Sequence, residues 1–300
     1  MAVEIPFIRE MRFTYGEPDA VFPGVRRVVA RNPSLLTLYG TNTYLVGGGT
    51  VAVIDPGPLL GEHRAALRRA LHGAAVSHVL VTHRHLDHCE SARALAWETG
   101  AVLAAGARRP TDPFPGAGRF GEAADPDFTP DLVLQDGDHL EGPDWALGVV
   151  ATPGHTSDHL CFALPAERLL FTGDHVMGWS TSVVIPPDGE MAAYRATLRR
   201  LQQRDDLAYL PGHGPAVGEP RRYLAALLAH RAERELEILA VLAAGKTTVP
   251  QIVQAVYAAV DPRLHPAAGM SVLAHLRALI AEGKVRCEGE PNPAAVYRLP

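Results

Sequence analysis

The sequence predicts an α/β fold followed by a small, winged-helix-like α+β domain. Three observations predict it. Short apolar, strand-like runs alternate with helical stretches through the first two thirds of the chain. Side chains able to bind metal stand at turn signals just after several of those runs. After Glu219 the pattern changes to three helical segments and a terminal pair of short strands.

The elements follow in order. Residues 25–30 and 43–54 read as strands, the second broken by Gly47, Gly48 and Gly49 as in a hairpin. Asp55-Pro56-Gly57 closes it in a turn. Residues 62–71 place Ala65, Ala66, Leu67, Ala70 and Leu71 on one side of a helix. Residues 77–81 form a short buried strand, 89–98 a second helix and 101–104 another strand. Residues 108–130, rich in Pro, Gly and Asp, read as a long surface loop. Between 132 and 172 the runs LVL, WALGVVAT, HLCFAL and RLLFTG are strands. Residues 191–203 are helical, and 208–210 form a last short strand. Residues 221–244, 249–259 and 270–282 supply three more helices, and KVRCEGEPNPAAVYRL a β-ribbon. The expected domains are therefore 1–219 and 220–300.

Composition narrows the function. The chain has 300 residues, 47% of them hydrophobic, as in a folded globular protein. A net charge of −5 leaves no broad basic field for nucleic acid. The three cysteines, Cys89, Cys161 and Cys287, are too scattered for a disulfide framework, which fits a reducing compartment. The opening MAVEIPFIREMRF lacks the apolar core of a signal peptide, and no apolar run is long enough to span a bilayer. The expectation is a cytoplasmic protein without a membrane partner.

The chemistry concentrates in THRHLDH, residues 82–88. His83 and His85, two apart at a strand end, point to one side of the chain. Asp87 and His88 follow as the chain turns into a helix. Imidazole and carboxylate suit zinc, and histidine also suits iron. A solvated loop has no reason to prefer imidazole. Three further ligands sit at turns: His155 in TPGHT, Asp174 in FTGDH and His213 in PGHG. Each follows a glycine, which permits a sharp turn and close backbone approach. Seven ligands suffice for two metals if one carboxylate bridges them. Two ions about 3.5–4 Å apart can share a hydroxide and clamp a displacement.

The ordered set of Asp55 at a strand end, H-x-H-x-D-H at 83–88, His155, Asp174 and His213 resembles the metallo-β-lactamase fold superfamily. The resemblance implies an αββα sandwich and two Zn2+ per chain. It places His83, His85 and His155 on the first ion, Asp87, His88 and His213 on the second, and Asp174 between them. Asp87 and Asp174 would then share in activating a metal-bridging water, and Asp55 would orient ligands without binding metal. Histidine-rich ligation favours zinc over iron or manganese. One departure is that Cys89-Glu90-Ser91 stands where many relatives have small glycines. Cys89 is expected to pack a helix, and His159 and His175 to pack near the site. His63, His72 and His139 are expected at the surface. Asp136, Asp138 and Asp158 read as turn residues.

The stretch MGWSTSVVIPPDGEMAAYRATLRRL, then LPGHGPAV and SVLAHLRALIAEGKV, looks like the beta-lactamase-like-protein-2 group over nearly the whole chain. That likeness implies hydrolysis and, for part of the group, cleavage of single-stranded RNA. The alternative is a thioesterase similar to glyoxalase II, acting on glutathione or acyl-CoA thioesters. A third reading is a binding or regulatory protein built on a vestigial hydrolase. The partner is accordingly a small-molecule or RNA substrate. Arg221, Arg222, Arg231, Arg234, Arg277, Lys284 and Arg286 are candidates for a phosphate-binding patch. The helix at 221–244 packs either in cis or across a homodimer.

Overall fold

The structure, a computed structural model, describes residues 4–107 and 124–300. Strict alternation along the strands builds its layers. In β3 (Asn42–Val46) and β4 (Thr50–Ile54), Tyr44, Val46, Ala52 and Ile54 face one way, while Leu45, Val51 and Val53 face the other. Both faces are buried, so both must be covered.

Seven described strands form the first sheet: β1 (Asp19–Phe22), β2 (Val25–Val29), β3, β4, β5 (Ala75–Val81), β6 (Val102–Gly106) and β7 (Leu132–Leu134), in that spatial order. The first four run antiparallel to their neighbours, and β4 to β7 run parallel. The second sheet holds β8 (His139–Gly142), β9 (Trp145–Ala151), β10 (Leu160–Leu164), β11 (Leu169–Gly173) and β12 (Ala208–Pro211), with β12 parallel to β11. Tyr44, Ile54 and Leu80 of one sheet meet Leu147, Phe162 and Phe171 of the other in the central core.

Helices cover the outer faces. α1 (Gly61–Ala70) and α3 (Ala92–Thr99) seal the first sheet with Ala66, Leu67, Leu95 and Ala96. α4 (Met191–Gln202) and the start of α5 (Pro220–Ala243) seal the second with Tyr194, Leu198, Tyr223 and Leu224. This is the αββα sandwich. Its far end continues into a smaller core, where Ile238 and Leu242 of α5 meet α6 (Val249–Val256), α7 (His265–Ala281) and a ribbon of β13 (Arg286–Cys287) and β14 (Tyr297–Arg298). That arrangement is a winged helix. α5 thus contributes to both cores.

Three details differ from the sequence reading. The helix expected at 89–98 is two pieces, α2 (Leu86–Cys89) and α3. The break has a cause, because Glu90 and Ser91 are spent on the 57–59 turn. Leu59 N–H donates to Glu90 Oε2 at 2.8 Å, and Ser91 Oγ donates to the Pro58 carbonyl at 2.8 Å. α7 starts five residues before the expected 270, with Pro266 in its first turn, where a missing N–H costs nothing. β1, flanked by Pro18, Pro23 and Gly24, gave no clear strand signal. Most of the loop expected at 108–130 lies outside the described residues.

Candidate metal centre

All seven predicted ligands come from strand ends on one edge of the sandwich. His83 and His85 leave the end of β5, and Asp87 and His88 open α2. His155 follows β9, Asp174 follows β11 and His213 follows β12. The glycines before these last three are required. A Cβ at Gly154 would stand 2.4 Å from the Tyr194 Cα, and one at Gly212 would stand 2.6 Å from His88 Cε1 and 2.7 Å from Asp174 Oδ1. Gly212 thus lets the chain pass against two ligands at once.

The side chains converge. His83 Nε2 lies 2.9 Å from His85 Nδ1, which lies 3.2 Å from His155 Nε2. His88 Nε2 lies 3.2 Å from His213 Nε2. Asp87 Oδ2 is 3.1 Å from His213 Nε2, and Asp174 reaches His88 and His213 with one oxygen each at 3.4 Å. Ligand atoms of His83, His85 and His155 form one group, those of Asp87, His88 and His213 a second, and those of His83, His88 and Asp174 a third between them.

The opposite ring nitrogens fix the tautomers. Thr82 Oγ1 donates to Asp55 Oδ2 at 2.8 Å, so it accepts from His83 Nδ1 at 3.0 Å. His88 Nδ1 donates to Asp55 Oδ2 at 2.9 Å, His155 Nδ1 to the Val183 carbonyl at 2.6 Å and His213 Nδ1 to the Gly40 carbonyl at 3.1 Å. Four Nε2 atoms therefore face inward, and the buried Asp174 Oδ1 has no hydrogen-bond partner. Nitrogen and carboxylate donors packed this closely call for positive charge among them, as imidazole protons or as a bound cation. The donor set fits divalent metal.

Charge divides the site. Burial, then the neighbouring imidazoles, hold His83 well below its ordinary range, and burial takes His85 down to about 3. Burial also opposes charge on His88 and His213. The carboxylates Asp174 and Asp87 outweigh it, holding His88 well above its usual value and His213 at about 10. Against burial, His88 and His213 bring Asp87 down to about 2. The second group thus attracts positive charge strongly, and His83 and His85 in the first offer neutral imidazoles.

Asp55 sits where the sequence reading placed it, behind the ligands. Its Oδ1 accepts from the Thr82 N–H at 2.8 Å, and its Oδ2 takes Thr82 and His88. His159 packs its ring on His83 at 5.1 Å, and His175 bonds Thr197 at 2.8 Å, so both pack around the site. Cys89 is buried and inert, its thiol pushed up by burial. Asp138 closes the turn at Gly137 by accepting from the Gln135 N–H, and Asp136 accepts from the Ala151 N–H and from Arg200. His72 and His139 are exposed. His63 is not. It is 2% exposed and bonds Thr43 Oγ1 at 2.9 Å, because α1 turns its face onto the sheet there. Asp158 is buried too, against the expectation of a plain turn residue.

Sequence reasoning missed several supports. Asn42 donates to the Pro211 and Gly214 carbonyls, and Tyr44 donates to Pro211, clamping the turn that carries His213. Arg84, buried between the two histidines, pairs with Asp188 at 3.0 Å, and Asp188 also accepts from Ser157 at 2.5 Å. Only the position of Arg84 inside the histidine motif could have flagged it.

A four-layer sandwich with clustered His and Asp at its strand ends defines a class of metal-dependent hydrolases. The profile described as "Metallo-beta-lactamase superfamily" matches residues 36–213, and "Beta-lactamase associated winged helix domain" matches 248–292. The chain belongs to the metallo-beta-lactamase superfamily, is a hydrolase of that superfamily, and shares its divalent-metal binding. It is 32% identical to a beta-lactamase-like protein 2 homolog of Drosophila melanogaster over 87% of this chain and 89% of that protein. It is 30% identical to the atrochrysone carboxyl ACP thioesterase nsrC of Aspergillus novofumigatus, over 80% of this chain and 72% of that one. A beta-lactamase domain protein from Burkholderia ambifaria shares the fold, with a TM-score of 0.79 at 23% identity over 97% of this chain and 96% of the other.

Proposed function

We propose that the protein is a dinuclear, zinc-dependent hydrolase of acyl thioesters. One observation carries the metal reading: four inward Nε2 atoms, their rings oriented from behind, closing on two carboxylates. His83, His85 and His155 would hold one ion, Asp87, His88 and His213 the other, with Asp174 between them. Divalent cations held here supply water acidified towards neutrality and polarise the scissile carbonyl. The protein's own part is positioning. Asp55 keeps His88 and, through Thr82, His83 oriented with Nε2 turned inward. The Asp87 side chain is 24% exposed against 8% for Asp174 and 1% for His213, so substrate approaches from its side.

Charge favours a thioester over a phosphodiester. Of the seven basic residues expected to form a phosphate patch, Arg221, Arg222, Arg234 and Lys284 each pair with an acid, and Arg231 is buried. Arg277 and Arg286 remain among the described residues. A relative named as an ACP thioesterase, matched over 80% of this chain, supports the same choice. The likeness to beta-lactamase-like protein 2 keeps single-stranded RNA as the second reading.

The test incubates zinc-loaded protein with acyl-CoA and, separately, with single-stranded RNA. Thiol release with RNA intact is expected, and RNA cleavage with the thioester intact reverses the substrate. His85→Ala should lose both metal and activity while staying soluble. Full activity in that variant ends the metal account.

A further inference from the structure

α5 buries a single stripe: Tyr223, Leu224, Leu227, Arg231, Glu235, Ile238 and Leu242. Arg231 and Glu235 interrupt an apolar run, and Arg231 is 2% exposed, a costly place for a cation. Its guanidinium lies 5.1 Å from the centre of the Tyr194 ring, and its Nη2 donates to the Ser182 carbonyl at 2.5 Å. Ser182 and the next residue touch both halves of the metal centre. The Ser182 hydroxyl lies 2.5 Å from the Asp174 carbonyl and 2.8 Å from that of His175. Tyr194 donates to the same His175 carbonyl at 3.1 Å. The Val183 carbonyl accepts from His155 Nδ1 at 2.6 Å. Segment 182–183 is thus a splint between the carboxylate at the middle of the cluster and an imidazole of the first group.

We propose that Arg231 is a positioning residue for the metal centre, holding segment 182–183 against Asp174 and His155. The helix that carries it runs on into the winged-helix core, so that core is tied to the catalytic site through one buried hydrogen bond. Arg231 touches no ligand side chain. It acts through the Ser182 and Val183 peptide, which sets where the Asp174 backbone and the His155 ring stand.

The inference rests on the metal-site reading, and the experiment separates the two. Metal-free protein is titrated with cobalt(II), following the visible bands and the affinity against a chromophoric chelator. Far-UV circular dichroism and thermal melting of the metal-free protein are recorded alongside. If the wild-type chain binds no divalent cation, the metal-site reading fails. If it does, Arg231→Met is expected to keep the wild-type circular dichroism, lose about 10- to 100-fold in affinity and shift the cobalt bands. Arg231→Lys should recover part of the loss. Ser182→Ala should reproduce it, because the Asp174 carbonyl loses its donor. Glu282→Gln, which breaks the nearby Arg195–Glu282 pair away from the splint, should bind cobalt as wild type. Wild-type affinity and bands in Arg231→Met overturn the inference, as does a loss no larger than that in Glu282→Gln. Should Arg231→Met fail to fold, Arg231→Lys and Ser182→Ala decide it, and wild-type binding in both overturns it.

Discussion

Asp55 shows how much one residue carries. It adopts a left-handed backbone conformation, φ 51°, which aspartate and asparagine tolerate better than most residues. From there its two oxygens take three donors: the Thr82 N–H, the Thr82 hydroxyl and His88 Nδ1. Asp55→Asn keeps the backbone conformation but sets an amide N–H against one of those donors. The expected result is a loss of about 10- to 100-fold in metal affinity, read by chelator competition, with the fold intact. Unchanged affinity would show that Asp55 serves the turn alone. At this scale the candidate ligands were legible, because imidazole clustered at strand ends has little other use. Thr82, Asn42 and Ser182 were not legible, because a hydroxyl or amide gains its role only from the partner the fold brings to it.

At the scale of elements, α5 joins the two cores through ionic contacts as well as apolar ones. Glu235 accepts from Arg195 of α4 with both oxygens at 2.6 Å and from His275 of α7 at 3.3 Å, and it is 7% exposed. Removing Glu235 leaves Arg195 with Glu282 alone and the buried His275 Nδ1 without its acceptor. Glu235→Ala should therefore cost about 1–3 kcal/mol, measured as a shift in the urea unfolding midpoint. A shift within error would mean that solvent already screens Arg195. Helical periodicity revealed α1, α4 and α5 in the sequence, since each buries a continuous face. It could not reveal the break between α2 and α3, which is set by hydrogen bonds to a turn some thirty residues away. Nor could it show that Arg231 lies inside, because alternating charge on a helix reads equally as a solvated face.

The whole molecule should show its buried histidines in its pH response. Burial pushes His63 and His275 down to about 4 each. As pH falls from 6.5 towards 4 the unfolded chain takes up protons that the native state refuses, so stability rises with pH across that window. Each such histidine contributes a slope of about 1.4 kcal/mol per pH unit where the difference is complete. His213, held at about 10 by Asp174 and Asp87 despite burial, works in the opposite sense. Its contribution is complete below 6.5 and fades as pH climbs through 10. Metal-free protein should thus be most stable near pH 6.5, read as urea midpoints in chelator, and His63→Gln should flatten the acid side. A profile level from 4.5 to 9 would contradict both shifts. Among the described residues no helix is long and apolar enough to cross a membrane.

The sequence alone determined the layered α/β pattern, the winged-helix ending and the seven donors, because periodicity and side-chain chemistry are local properties. Only the tertiary structure decided which lone pairs face inward, that most of the candidate phosphate-binding cations are neutralised, and that a helix of the C-terminal half reaches the peptide behind Asp174. Those outcomes depend on partners far apart in the chain, and distance along a sequence carries no information about distance in space until the sheets have closed.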